Sequence, residues 1–81
     1  MVAPSEAQAL DALKTVQSLP AKKLDQYITL HIGDEMLGVF MSLAQAMFPD
    51  EDRDERAKQV HLMVLAYLMR IHVDGKLERK Q

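Results

Sequence analysis

Between Leu62 and Met69 every residue is apolar: Leu-Met-Val-Leu-Ala-Tyr-Leu-Met. A helix that is apolar on all sides must be buried on all sides. This run therefore predicts a central helix, which three short neighbours can surround only in part. The wider stretch Val60–Val73 holds eleven apolar residues in fourteen, interrupted by His61, Arg70 and His72. A bilayer span needs about 20 such residues, so the run reads as a core helix. The N-terminus Met1-Val2-Ala3-Pro4-Ser5-Glu6 has neither a basic nor an apolar leader region. That reading places the protein in the cytoplasm.

The chain has only 81 residues with which to surround that helix. A single core of this size supplies little stability. Its composition, 48% hydrophobic and 27% charged, is that of a globular chain. The remaining helices follow from local signals. Ser5-Glu6-Ala7-Gln8 fits a capping box that opens a first helix over about 5–18, and Ser18-Leu19-Pro20 closes it. Leu24, Tyr27, Ile28 and His31 form one amphipathic face of a second helix over 21–32, with Pro20 as a favourable first residue. Gly33 reads as its αL terminator and Asp34 as a cap for the next helix. That third helix, 34–48, carries two adjacent stripes: Met36, Phe40, Leu43 and Met47, then Leu37, Met41, Ala44 and Phe48. Gly38 between them suits close approach of another helix. The last helix runs over 53–73 and ends at Asp74-Gly75. A short hairpin across 71–78 with a type I′ turn is the competing reading of its end. The expected architecture is all-α: four short helices in a compact orthogonal or bundle-like arrangement over 1–81, the last helix central, with a basic tail at 76–81.

The third and fourth helices carry more apolar surface than three short neighbours can cover. Such excess on a soluble protein marks a contact site, and a C2 homodimer is the commonest solution. Met36, Met41, Met47, Met63 and Met69 all lie in these two helices. Methionine is flexible and polarisable, and suits adaptable interfaces as well as cores. Met36, Phe40, Met47, Met63, Tyr67 and Met69 are the candidate partner-binding anchors. Leu37, Leu43, Leu62, Leu65 and Leu68 are the expected core.

Charge is unevenly spread. Residues 34–55 hold seven carboxylates against Arg53 alone, a net −6, whereas 56–81 carry +4. The carboxylates concentrate in Asp50, Glu51, Asp52, Asp54 and Glu55. A solvated loop and helix N-terminus explain this block; an acidic docking patch for a basic partner is the sharper reading.

Signals for chemistry are sparse. There is no cysteine, which removes thiolate nucleophiles, thiolate metal sites and disulfides. His61 and His72 share a face of the last helix but stand about 16 Å apart along it. His31 with Asp34 or Glu35 has ligand spacing only on an unbroken helix. No histidine is preceded by glutamate at i−3, which excludes the carboxylate-bridged di-metal bundle motif. Ser5, Ser18 and Ser42 lack a glycine-flanked elbow, and Gly33, Gly38 and Gly75 are isolated, so no phosphate loop exists. The expectation is no enzyme, no cofactor, no metal and no small-molecule substrate.

Nucleic-acid binding is the alternative. Leu24 to Phe48 has the outline of a helix-turn-helix, yet Asp34–Phe48 contains no Lys or Arg. The segment Val64-Leu65-Ala66-Tyr67-Leu68 followed by Asp74-Gly75-Lys76-Leu77-Glu78-Arg79 resembles the recognition helix and first wing strand of winged-helix domains. That resemblance spans about twenty residues and implies a DNA-binding transcription regulator. The chain departs from the pattern: it has no return strand after Gln81, its helix centre is too apolar to face a groove, and an acidic block precedes it. The favoured reading is a non-enzymatic protein-interaction module, such as a small regulator, adaptor or chaperone-like partner, binding itself or another protein.

Overall fold

The computed structural model describes residues 3–78. In order, it contains α1 (Glu6–Gln17), α2 (Ala21–Tyr27), a π-helical segment (Ile28–Ile32), α3 (Gly33–Met47) and α4 (Arg53–Val73). The fold is all-helical, with no strand among the described residues.

The helix ends follow from their sequences. The capping box of α1 is complete: Gln8 N–H donates to Ser5 Oγ at 3.2 Å, and Ser5 N–H donates to Gln8 Oε1 at 2.9 Å. Pro20 stands one position outside α2, as its cap, and its carbonyl accepts from Leu24 N–H. Asp52 caps α4 by accepting from Glu55 N–H at 2.9 Å. Asp34 does not cap α3, which begins without a side-chain cap.

The expected helix over 21–32 changes form midway. From Ile28 its hydrogen bonds run i→i+5, the last from Gly33 N–H to the Ile28 carbonyl. The wider turn lets His31 and Ile32 both point inward with Tyr27, and all three are buried. Gly33 then breaks the run at φ +73°, ψ 172°, a region that only glycine enters readily.

The C-terminal end of α4 closes as a helix cap, which removes the hairpin reading of 71–78. Lys76 N–H reaches the Ile71 carbonyl and Gly75 N–H the His72 carbonyl, with Gly75 at φ +73°. These two bonds are the paired bonds of a Schellman motif. No wing strand forms there. The chain then folds back, and Leu77 is buried in the core cluster. Its carbonyl accepts from buried His31 Nε2. Glu78 accepts a 2.9 Å hydrogen bond from Tyr27 Oη. The start of the basic tail is thus a strap over the π segment; Arg79, Lys80 and Gln81 lie outside the described residues.

The core forms around α4. Val64, Leu65, Leu68 and Ile71 meet Val16, Tyr27, Ile32 and Leu77, with Val16 and Leu68 fully buried. Burying a side chain of this kind stabilises by about 1.5–3 kcal/mol. α4 lies centrally and part of its circumference stays open, but Leu62, expected in the core, is on the open side. Leu62 is 59% exposed and Ala66 is exposed as well. Four residues apart, they share the side that no neighbour covers. Leu43, also expected in the core, faces solvent. The packing of α3 does not use Gly38 as a point of close approach; the fully buried residue of α3 is Ala44. Gly38, expected to permit it, is exposed with open space around it.

Candidate functional site

α3 is apolar around more than half its circumference. One side, with Leu37 and Phe40, packs on the core and α4, and Ala44 on that side is fully buried. Phe40 meets Tyr67 with ring centroids 5.9 Å apart and planes at 60°, a tilted pair of the kind that adds to area burial. The adjoining side, about a quarter-turn round the helix, is bare. Met36, Val39, Leu43 and Met47 recur at i, i+3, i+7 and i+11 and so fall on one stripe. Val39 is 56% exposed, Leu43 45% and Met47 61%, with Met36 less open. Single exposed apolar residues are ordinary; four aligned over about 16 Å of helix are a patch.

The structure divides the six expected anchors between two settings. Met36 and Met47 lie on the exposed stripe. Phe40 and Tyr67 meet each other between α3 and α4, while Met63 and Met69 on α4 are half-buried. The six therefore do not form one surface. Val39 and Leu43, which complete the stripe, are not among the anchors read from the sequence. Helical spacing could have placed all four together, since Met36, Val39, Leu43 and Met47 lie within an 80° arc at 100° per residue.

A second open feature lies between the C-terminal half of α3 and the first turns of α4. It is a shallow groove of about 370 Å³ lined by Met41, Gln45, Arg53, Arg56, Ala57 and Val60. It opens because the inward stripe of α4 at Ala57, His61, Val64, Leu68 and Ile71 is covered only from Val64 onward. Arg56 closes the α3–α4 loop, donating to the Pro49 carbonyl at 2.8 Å and to the Phe48 carbonyl.

The acidic block is built partly into α4. Asp52 is the cap, and Asp54 and Glu55 occupy the first turn, where the helix dipole favours them. Glu55 also meets Lys58 at 3.1 Å, an exposed pair worth about 0–1 kcal/mol. Asp50, Asp52, Asp54 and Glu55 remain exposed, whereas Glu51 is half-buried.

The histidines are dispersed. His31 is buried beneath the strap, and its Nδ1 has no hydrogen-bond partner. Because a carbonyl only accepts, Nε2 carries the proton toward Leu77. His61 is exposed and His72 half-buried. Among the described residues no cluster of three or more His, Asp or Glu could hold a metal ion. No described helix is long and apolar enough to cross a membrane.

No protein-family model, curated protein or solved structure matches the chain.

Proposed function

We propose that the protein is a non-enzymatic interaction module whose outer α3 face docks a helix from a partner. The observation that carries this reading is the aligned exposure of Met36, Val39, Leu43 and Met47 on α3, beside the Leu37 and Phe40 side that already packs on the core. Helix-on-helix docking uses anchors at this spacing, and methionine at the stripe's two ends suits partners of differing shape. A regulator, adaptor or chaperone-like role in the cytoplasm accords with such a surface. Self-association as a C2 homodimer through the same face is the second reading. It is favoured by the absence of any charged side chain from Met36 to Phe48. The DNA-binding alternative has less support. Asp74-Gly75-Lys76 forms a helix cap, Lys58 and Arg70 each face a carboxylate, and Arg56 faces loop carbonyls.

A photo-crosslinking residue at Val39 or Leu43, compared with one at Lys22 or Gln8, tests the module reading in cells. Discrete protein adducts, homodimeric or heteromeric, are expected from positions 39 and 43 and not from 22 and 8. Equal adducts from all four positions, or none from 39 and 43, would overturn it.

A further inference from the structure

We infer that the groove between α3 and α4 binds a small amphipathic carboxylate, an aliphatic acid whose chain lies on the groove floor and whose head meets Arg53. This site is separate from the α3 docking stripe. Met41 and Gln45, which line the groove, lie on the other flank of the packed Leu37 and Ala44 side from Met36, Val39, Leu43 and Met47.

Unpaired charge selects the occupant. α4 carries four arginines and lysines: Arg53, Arg56, Lys58 and Arg70. Lys58 pairs with Glu55 at 3.1 Å, and Arg70 with Asp74 at 3.3 Å. The other two, Arg53 and Arg56, are the ones that line the groove. Neither has a carboxylate partner among the described residues. Arg56 is half-buried, and its Nε and Nη2 donate to the Phe48 and Pro49 carbonyls. Those bonds hold the guanidinium at the loop without neutralising it. The side chain of Arg53 is exposed, with no hydrogen bond or ion pair among the described residues.

The acidic block does not cancel these charges inside the groove. Asp52 is taken up as the α4 cap. Asp54 and Glu55 lie more than about 100° round α4 from the side that carries Arg53, Arg56, Ala57 and Val60. No carboxylate lines the groove, and α3 adds no charge from Met36 to Phe48. In a chain of net charge −2, this hollow presents two uncompensated guanidiniums and no acid.

The floor sets the rest of the ligand. Met41, Ala57 and Val60 are apolar, and Gln45 adds an amide that can donate or accept. At about 370 Å³ the groove is at the small end of ligand pockets, which run from about 300 to 1,000 Å³. That volume suits one short apolar chain. The planar fork of a guanidinium matches a carboxylate head, whereas a cationic head meets repulsion.

The test titrates the isotope-labelled full chain with octanoate, octanol and octylamine, read from backbone amide resonances. The three share a chain and differ in the charge of the head. Octanoate is expected to bind severalfold more tightly than octanol, with shifts at Met41, Gln45 and residues 53–60, and octylamine is expected not to saturate. From butyrate to octanoate, affinity should rise by up to about fourfold per added methylene. Arg53→Gln should weaken octanoate severalfold. Lys58→Gln removes the same charge outside the groove and should leave binding unchanged. Leu43→Asn, on the docking stripe, should also leave it unchanged, so the two sites succeed or fail independently. Circular dichroism checks that each variant is folded. Octanol or octylamine binding as tightly as octanoate overturns the carboxylate. Equal weakening by Arg53→Gln and Lys58→Gln makes the attraction a matter of net charge and overturns the site. Shifts centred on Val39 and Leu43 that Leu43→Asn abolishes put the acid on the docking stripe instead. The absence of any saturable shift overturns the site outright.

Discussion

Leu68 and Val16 meet at the centre of the molecule with no exposed surface, so their loss leaves a cavity rather than a solvated gap. Leu68→Ala should destabilise by about 2–5 kcal/mol in chemical denaturation, enough to leave much of so small a domain unfolded. Leu43→Ala, the same chemical change on the outer face of α3, should cost under about 1 kcal/mol by the same measurement. Tyr27 supplies a prediction in pH. Burial, and then the Glu78 carboxylate that its hydroxyl bonds, push its ionisation above the ordinary phenol value of 10.0. A group whose ionisation is raised by folding contributes stability below its unfolded value, and that contribution is lost as pH rises through the folded one. The Tyr27–Glu78 bond should therefore hold at neutral pH and release only in the alkaline range above the ordinary value. In a Tyr67→Phe background, tyrosinate absorbance should rise later in folded protein than in denaturant, and Glu78→Gln should reduce the difference. Coincident titrations would contradict that cause.

Two glycines on either side of the α3 start should respond oppositely to the same substitution. Gly33 sits at φ +73° and ψ 172°, where a side chain is strained even though the surrounding space is open. Gly33→Ala should cost about 1–3 kcal/mol. Gly38 lies inside the exposed side of α3, also with open space, so Gly38→Ala should stabilise by about 0.5–1 kcal/mol. Thermal melts of the two variants decide the sign of each. The element scale is also where the sequence is most legible. The Ser5–Gln8 capping box, the Gly33 break and the Asp74-Gly75 terminus are local chemistry, readable from neighbouring residues. The π segment is not, because Ile28-Thr29-Leu30-His31-Ile32 carries no local signal for i→i+5 bonding. That turn places Tyr27, His31 and Ile32 inward together, toward a strap from residues more than forty positions away. The apolar run Leu62–Met69 implies that some side stays open, but for a related reason it does not show that Leu62 lies on that side. It states what each position prefers but not how many neighbours arrive, and the side with Leu62 and Ala66 has none.

At the scale of the whole molecule, three flanking helical elements cannot enclose a 21-residue helix. The molecule is elongated, 36 Å by 25 Å by 25 Å, and α3 spends one apolar side on α4 while presenting the other to solvent. The sequence reads the site in part: it marks helix three as carrying excess apolar surface and includes Met36 and Met47, which lie on the exposed stripe, among the candidate anchors. It does not show that Phe40 and Tyr67 meet between α3 and α4, because helical spacing shows which residues share a face, not which face meets a neighbour. The central claim is that the bare face of α3 at Met36, Val39, Leu43 and Met47 docks a helix from a partner. The most direct measurement is the change in backbone amide resonances of the labelled full chain as a synthetic amphipathic helical peptide with Leu at i, i+3, i+4 and i+7 is added. The account predicts shifts concentrated over residues 34–48, with α1 and α2 nearly unmoved. Shifts centred on α1 or α2, or spread evenly along the chain, would contradict it.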